Sequence, residues 1–372
     1  MLFTISLLMC CRTRAGGCPR LFWPVPVVPA AVSRTLATAL LPLLLTLTVH
    51  LTPAQVFAAD TAQPTALQAG PASVPHQKNS TTPADTGHSV ANGAPDDVDT
   101  PIMVSDDTGH VVRLQQPARR VIALYGAFNE LLLALGAGDV LAARTVADAA
   151  VPGLEHLPAI GTHMRPNAEL VVRQSPDLVI QLAGRNEALL QTENLRALGL
   201  DVLVFEMNSF EQMFAVLQKL GRLTGRESEA SALVKAWRER LAALEARYAD
   251  MEPVSVFYEV RYPNLLGAGR GGIVNDMIRR AGGRNVIADE KKLVRFNEEA
   301  LLAADPDVYI MQRGPMNPEP QPLEQRQHYK SMRAVREGRV LVVDEERFAR
   351  PGPRTVDAAE ELGRFLHFRS AP

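Results

Sequence analysis

Cysteine is scarce in this chain and is confined to its beginning. The 372 residues contain only three cysteines, Cys10, Cys11 and Cys18. The rest of the sequence therefore has no disulfide and no thiolate metal site, which is compatible with an oxidising compartment.

Aromatic residues and net charge are also low. Aromatic residues make up 5% of the sequence, and 39 Lys and Arg face 41 Asp and Glu. A near-neutral balance excludes binding to nucleic acid through a strong basic field, so we expect no nucleic-acid partner. The apolar content of 47% excludes a wholly disordered chain.

The first apolar run has the features of an export signal. Residues 35–59 carry no charge, and an apolar run at 36–49 follows Arg34. This run is short for a bilayer span and is interrupted by Pro42. Val56 and Ala58 occupy the small-residue positions of a signal-peptidase site. We interpret residues 1–58 as a signal peptide that is cleaved after Ala58, which predicts a periplasmic protein.

Three alternatives for this segment remain open. The run could be an uncleaved membrane anchor, because hydropathy alone does not separate an anchor from a signal. Cys18 could carry a lipid, although residues 14–18 lack the aliphatic residue expected three positions before a lipidated cysteine, which disfavours lipid anchoring. Translation could also start downstream of Met1, since residues 1–33 form an unusual signal-peptide beginning.

Residues 59–100 have the composition of a flexible tether. They contain five prolines, five aspartates against the single Lys78, and no aromatic residue. Such a segment cannot bury enough apolar surface to offset chain entropy. The remaining residues, about 270, exceed one typical core and suggest two lobes.

The folded part alternates short β-branched runs with amphipathic stretches, a pattern typical of βα units and parallel sheets. The predicted strands are 121–125, 177–181, 201–205, 254–258, 307–311 and 340–344, and the predicted helices are 129–135, 187–198 and 273–281.

A weak internal repeat supports two copies of one α/β unit. Asn167-Ala-Glu169 precedes Pro176-Asp177, and Asn297-Glu-Glu299 precedes Pro306-Asp307 at the same spacing. Chance agreement remains an alternative, since Pro-Asp before a strand is common turn chemistry.

The two copies are separated by a long proline-free stretch. Residues 210–248 read as two helices broken near Thr224-Gly225, and the second is long enough to connect both lobes. The alternative is a simple core helix of one lobe. We therefore predict an N-terminal lobe at 101–224, a connecting helix at 225–250 and a C-terminal lobe at 251–372.

The sequence resembles the periplasmic substrate-binding proteins of ABC importers for iron–siderophores, haem and cobalamin. The resemblance covers roughly residues 120–367 and rests on eight segments that occur in the family's order. They are 120–124 with 129–139, 158–161 with 167–169, 218–227, 281–285, 299–307 and the motif Arg350-Pro-Gly-Pro-Arg354.

The resemblance implies an α/β fold with two Rossmann-like lobes, each with a central parallel sheet, joined by a single long helix. It implies a monomer that captures a metal chelate in the cleft between the lobes and delivers it to an ABC importer permease in the inner membrane. In this family one surface glutamate of each lobe pairs with permease arginines, and the matching positions are Glu169 and Glu299. The alternative for each is a helix first-turn acid favoured by the macrodipole.

Ligand contacts are expected from loops at the carboxyl ends of the strands, where open α/β sheets bind ligands. Arginine and tyrosine at these positions suit an anionic chelate, because the guanidinium group pairs with acidic oxygens and the phenol stacks or donates. The candidates are Tyr125, Gly126, Arg144, His163, Met164, Arg165, Tyr258, Arg261, Tyr262, Arg270, Arg295 and Arg313.

His163 and Met164 are of separate interest, because imidazole and thioether both ligate haem iron. Haem-binding relatives tend to have a tyrosine near this point, whereas this chain has Thr162 and His163. A plain loop histidine is the alternative. We assign no metal site and no catalytic residue to the protein itself.

An iron–siderophore or related iron complex is the first ligand suggested by the resemblance, followed by cobalamin and then haem. No resident cofactor and no enzymatic activity are expected. Two rival interpretations remain, namely a two-lobed α/β metal-dependent enzyme that uses His163 in the same cleft and a ligand-free adhesin or sensor subunit.

Overall fold

The structure is a computed structural model that describes residues 101–368. The predicted signal peptide and tether, and all three cysteines, lie outside the described residues. Twelve strands occur within the described range: β1 Ile102–Ser105, β2 Val111–Leu114, β3 Val121–Ala123, β4 Leu141–Ala143, β5 Leu178–Leu182, β6 Val202–Phe205, β7 Val254–Arg261, β8 Leu266–Ala268, β9 Gly283–Asn285, β10 Leu293–Arg295, β11 Val308–Arg313 and β12 Val340–Asp344.

Helices alternate with these strands. Ten α-helices occur in residues 101–368: α1 Gly126–Ala134, α2 Ala168–Arg173, α3 Asn186–Ala197, α4 Phe210–Thr224, α5 Glu227–Tyr248, α6 Ile273–Arg280, α7 Glu298–Ala304, α8 Arg333–Arg336, α9 Glu345–Phe348 and α10 Pro353–His367. The α/β class predicted from the sequence is confirmed. No helix in this part of the chain has the length and apolar character needed to cross a membrane.

The first lobe contains a four-stranded sheet, the β1–β2 hairpin and helices α1 to α4. The sheet has the order β4-β3-β5-β6, and every pairing in it is parallel. The hairpin is tied to the last strand, because the Asp106 carboxylate accepts a 2.9 Å hydrogen bond from the Val204 backbone N–H. Four parallel strands place their carboxyl ends along one edge of the sheet.

The second lobe contains a larger sheet and helices α6 to α10. Its main path is β10-β8-β7-β11-β12, and β9 pairs with the beginning of β7. Strands β7, β9, β11 and β12 are parallel, whereas β8 and β10 run antiparallel to their neighbours. The central part of this sheet is thus parallel as predicted, and a three-residue antiparallel pair forms its edge.

Helix α5 connects the two lobes. Gly225 ends α4 in the left-handed conformation at φ +69°, which glycine adopts without a steric penalty. Helix α5 then runs for 22 residues, or about 33 Å at 1.5 Å per residue. It packs against α4 of the first lobe and against α6 and α10 of the second, as expected of a connecting helix.

One apolar core is continuous across both lobes. Successive residues of the buried strands alternate between this shared core and a separate cluster on the far face of each sheet. Val121 and Val256 face the shared core, whereas Ile122 and Phe257 face the outer clusters. In the shared core, the ring centroids of Trp237 of α5 and Phe214 of α4 lie 6.2 Å apart. The lobes therefore cannot separate without exposing apolar surface to water.

The internal repeat corresponds to equivalent hydrogen bonds in the two lobes. The Asp177 carboxylate accepts from the backbone N–H groups of Arg119 and Arg120 at 2.7 and 2.9 Å, just before β3. The Asp307 carboxylate accepts from the Ser255 backbone N–H at 3.0 Å, at the beginning of β7. The Pro-Asp pair thus secures the start of the neighbouring strand in each lobe.

Candidate functional site

A cavity of about 880 Å³ lies between the lobes, where the carboxyl ends of the two sheets meet. The first lobe contributes residues that follow each strand of its sheet, and the second lobe contributes Val260 of β7, the loops after β8, β11 and β12, and the residues around the start of β10. Its wall includes Leu124, Tyr125, Gly126, Thr145, Asp148, His163, Met164, Leu182, Arg185, Glu206, Val260, Ile273, Lys291, Lys292, Gln312, Met316, Glu345, Glu346 and Arg350. The location is the one expected for ligand binding by α/β sheets.

Tyr125 is placed at the cavity by the end of β3. It is the N-cap residue of α1, with an extended backbone. Its ring meets the His163 ring edge-on at 5.7 Å, and the Arg350 guanidinium carbon lies 5.9 Å from its centroid. Burial raises the pKa of the Tyr125 hydroxyl, while the charge of Arg350 acts in the opposite direction. Two predicted ligand residues thus contact each other, with an arginine from the second lobe above them.

Gly126 is required by the close approach of charged groups from both lobes. A Cβ atom at this position would collide with the Asp148 carboxylate and lie 2.8 Å from Arg350 Nη1. Only glycine leaves room for both groups. Gly126 therefore admits Arg350 to the cavity wall rather than presenting a contact surface of its own.

His163 and Met164 lie on a tight loop that follows Ile160. Thr162 and Arg165 exchange backbone hydrogen bonds across this loop, and the Gln181 side chain donates to the His163 carbonyl at 2.8 Å. Desolvation lowers the pKa of the His163 imidazole, and the charges of Arg185 and Arg350 lower it further. The imidazole is therefore neutral at pH 7. Residues 101–368 contain no cluster of three or more His, Cys, Asp or Glu side chains that could hold a metal ion.

Acidification is expected to destabilise the protein in part through His163. Because its folded-state pKa lies below the unfolded value of about 6.5, the unfolded chain binds more protons as the pH falls below about 6.5. The contribution of His163 to the free energy of unfolding is therefore present at neutral pH and is lost on acidification. Urea unfolding at pH 7 and pH 5 should show a smaller decline for His163→Gln than for the wild type.

His367 supplies a matched comparison for this measurement. Burial lowers its pKa as well, although it stacks on Tyr248 at 4.1 Å and lies away from the cavity. The variant His367→Gln should remove a separate part of the decline, and the double variant should remove both parts. An unchanged pH dependence in His163→Gln would show that the imidazole is not desolvated in the folded state.

Five predicted arginines point away from the cavity or lie outside its wall. Arg144 Nη1 donates to the neighbouring Thr145 carbonyl at 3.1 Å. Arg165 pairs with Glu187 at 2.5 Å, and its side chain is 80% exposed. Arg270 pairs with Glu290 at 3.7 Å, while Arg295 and Arg313 are exposed at the ends of their strands. A long side chain at a strand end readily turns toward a nearby acid or to water instead of the cleft.

Three predicted contacts on β7 and the turn after it are also located elsewhere. Tyr258 is completely buried in the shared core, two residues before Val260, which does line the cavity. Arg261 and Tyr262 line a second, shallower cavity of about 640 Å³ together with Asn317. The Tyr262 ring is covered there by the guanidinium group of Arg326 at 3.8 Å.

The cavity contains basic side chains that sequence reasoning missed. Arg185 is the third residue after the end of β5, so the rule that selected Tyr125 after β3 also indicates it. Arg350 belongs to the Arg350-Pro-Gly-Pro-Arg354 motif, which supported the resemblance but was not predicted to contact ligand. Lys291 and Lys292 precede β10, an edge strand whose three residues carry no clear strand pattern.

The lysines are brought to the cavity by close backbone packing. A Cβ atom on Gly271 would collide with the Glu290 carbonyl. The glycine-rich loop after β8 therefore lies directly against the loop that carries the lysines. Desolvation lowers the pKa of Lys292, with the Glu206 carboxylate acting in the opposite direction.

Acidic groups balance this positive charge. Burial raises the pKa of Glu345, although its carboxylate accepts a 3.2 Å hydrogen bond from the Met316 backbone N–H. Glu346, Glu206 and Asp148 lie in the same wall. Charges of both signs therefore stand beside apolar surface, an arrangement that suits a large ligand with both apolar and polar parts.

Glu169 and Glu299 occupy equivalent positions in the two lobes. Both are exposed in the first turn of a short helix. The residue before each helix, Asn167 or Asn297, is the N-cap. Its side chain accepts hydrogen bonds from backbone N–H groups of the first turn. The repeat predicted from the sequence therefore presents one acid per lobe in the same local geometry.

Comparison with known proteins identifies a protein family and several similar proteins. Residues 121–346 match the family described as "Periplasmic binding protein". The chain is 26% identical over 276 residues to an uncharacterised ABC transporter substrate-binding lipoprotein, YvrC, of Bacillus subtilis, covering 72% of this chain and 86% of that protein. It is 24% identical over 256 residues to the vitamin B12-binding protein of Vibrio cholerae, covering 67% of this chain and 90% of that protein.

Solved structures show the same architecture. The periplasmic haem-binding protein of Pseudomonas aeruginosa is similar at a TM-score of 0.58 and 26% identity, covering 67% of this chain and 93% of that one. An ABC-type Fe3+-hydroxamate transport protein of Saccharomonospora viridis is similar at a TM-score of 0.58 and 23% identity, covering 72% and 99%. The two-lobed fold that the sequence predicted is confirmed.

Proposed function

Because the chain belongs to the periplasmic binding protein family, we propose that it captures a metal chelate between its lobes and delivers it to an ABC importer. The observation that carries the proposal is the cavity of about 880 Å³ that both lobes enclose at the carboxyl ends of their sheets. A preformed cavity of this size can enclose most of a large chelate. Such binding requires no chemical reaction of the ligand.

The composition of the wall supports a ligand that is partly apolar and partly charged. Leu124, Leu182 and Val260 offer apolar surface, while Arg185 and Arg350 offer guanidinium groups for acidic oxygens. The names of the relatives, several of which are vitamin B12-binding proteins, move a corrinoid ahead of the iron–siderophore that the sequence alone favoured. A haem and a ferric hydroxamate remain the next ligands to test.

The transporter is the proposed partner. Glu169 and Glu299 stand one per lobe in equivalent exposed turns, which suits recognition by a permease that contacts both lobes. Charge pairs of this kind orient and accelerate the encounter. The protein would act as a periplasmic monomer without a nucleic-acid partner.

The proposal requires no enzymatic step and no resident cofactor, because the chelate is cargo. The relatives reported above are substrate-binding proteins and not enzymes. The enzymatic alternative predicts a product and its loss in His163→Ala. A binding protein predicts stabilisation by ligand with no product in either the wild type or this variant.

Ligand-dependent thermal stabilisation tests the function. Cyanocobalamin, haemin and ferric hydroxamate are each added to the purified full-length protein, and one of them should raise Tm. A ligand at 100 times its Kd adds about 2.7 kcal/mol, which corresponds to roughly 5–10 °C for a protein of this size. Metal-free protoporphyrin is the matched control for haemin. If none of the three raises Tm and protein from its native host carries no visible absorbance, the proposal fails.

A further inference from the structure

Four charged side chains join the two lobes beside the cavity. Glu130 of α1 receives both nitrogen donors of the Arg354 fork, at 2.6 and 3.0 Å. Arg350 lies 3.4 Å from Glu130 and 3.0 Å from Glu346 of α9, and Arg354 lies 3.4 Å from Glu346. These four residues form an interlobe clasp in which two arginines and two glutamates balance in charge.

The clasp is largely buried, and a rigid loop fixes the position of its arginines. The Glu130 and Arg350 side chains are only 9% and 12% exposed, so their attraction is stronger than that of surface pairs. Proline at 351 and 353 restricts the loop between the arginines. Thr355 fixes the loop further, because its hydroxyl donates to the Arg350 carbonyl at 2.6 Å and accepts from the Gly352 N–H at 3.2 Å.

The clasp reaches the binding cavity through Arg350. Its guanidinium group lies over the Tyr125 ring and against Gly126, both on the opposite lobe. Glu130 lies outside the cavity wall but holds this guanidinium group from the first lobe. The position of a cavity charge supplied by the second lobe is therefore set jointly by an acid of the first lobe and by Glu346 of its own lobe.

We propose that Glu130 is a positioning residue that fixes both the spacing of the lobes and the place of Arg350 in the cavity. The clasp keeps the cleft in its binding geometry before ligand arrives, so that ligand meets an ordered wall. The consequence for ligand affinity rests on the proposed function, whereas the consequence for lobe spacing does not.

The spacing is measured on the ligand-free protein. Spin labels are attached at Asn194→Cys and Gln325→Cys, two exposed sites on different lobes, in the full chain with Cys10, Cys11 and Cys18 replaced by serine. In Glu130→Gln the interlobe distance distribution should become broader than in the unaltered clasp. Glu361→Gln is the matched control, because it breaks the Arg347–Glu361 pair within the second lobe and should leave the distribution unchanged.

A second measurement follows Arg350 itself. The charge of Arg350 depresses the pKa of His163, together with Arg185 and against Asp148. Release of Arg350 in Glu130→Gln should therefore move the imidazole pKa, read by NMR, toward its ordinary value, while Glu361→Gln should not change it. A structural role of Glu130 in core packing alone predicts no such change.

Ligand affinity and non-additivity complete the test. Cyanocobalamin affinity should fall by about tenfold in Glu130→Gln, the usual scale of coupling within one charge network. Adding Arg354→Gln should change it little further, because the pair is already broken. Unchanged distance distributions and an unchanged His163 pKa in Glu130→Gln would overturn the proposal. Failure of the wild type to bind any chelate would instead overturn the proposed function.

Discussion

Replacing both Glu169 and Glu299 by arginine is expected to reduce uptake by about 100-fold or more while leaving ligand binding unchanged. Each exposed carboxylate would become a like charge opposite the proposed arginines of the permease, and such juxtapositions cost several kcal/mol. Because every 1.4 kcal/mol is a factor of ten in affinity, two reversals suffice to prevent docking. Neither residue lines the cavity, so the cleft should keep its affinity.

Uptake of labelled cobalamin into cells that carry the cognate permease is the measurement. The matched control reverses two other exposed acids, Glu239 and Glu324, which gives the same change in net charge at different places. Single reversals should give intermediate rates, because each lobe contributes one contact. Wild-type uptake by the double variant, or an equal loss in the control, would remove the docking role.

Arg326→Met is expected to lower the free energy of unfolding by about 3–5 kcal/mol, because it leaves an uncompensated buried carboxylate. The Arg326 and Glu259 side chains are completely buried and paired, with nitrogen to oxygen distances of 2.5 and 3.0 Å. The Tyr309 hydroxyl also donates to Glu259 at 2.6 Å. Burial and the Glu259 carboxylate both raise the pKa of Tyr309, so this hydroxyl remains a donor at neutral pH.

Urea unfolding of the single and double variants separates the pair from simple loss of packing. In Arg326→Met with Glu259→Gln the carboxylate is replaced by a neutral acceptor, so the double variant should be more stable than Arg326→Met alone. Arg333→Met is the matched control, since Arg333 pairs with Asp307 at a half-exposed site and should cost at most about 1 kcal/mol. A loss in Arg326→Met no larger than in this control would show that the buried pair contributes little.

The fold follows from the sequence because its signals are local. Buried parallel strands are β-branched runs such as 202–205, and the structure places all six predicted strands within a few residues of their predicted bounds. Gly225 marks the break between α4 and α5, because the left-handed conformation at that point favours glycine. The strands β4, β8, β9 and β10 were missed, because each has only three residues and none is a run of β-branched residues.

The residues of the cavity wall were predictable only in part. Tyr125 and the His163 loop, chosen by the strand-end rule, lie at the cavity in the structure, because backbone topology determines where a strand ends. It cannot determine which way an arginine turns. Arg165 pairs with Glu187 on α3, whereas Arg185 lines the cavity, and only the three-dimensional position of nearby acids separates the two.

Helix α5 has a kinetic consequence. Because it is uninterrupted over 22 residues and lies in a core shared by both lobes, we expect the cleft to keep the same width with and without ligand. A cleft of constant width would lose no affinity to a sparsely populated binding-competent state, so changes in cavity residues should appear mainly as altered residence times.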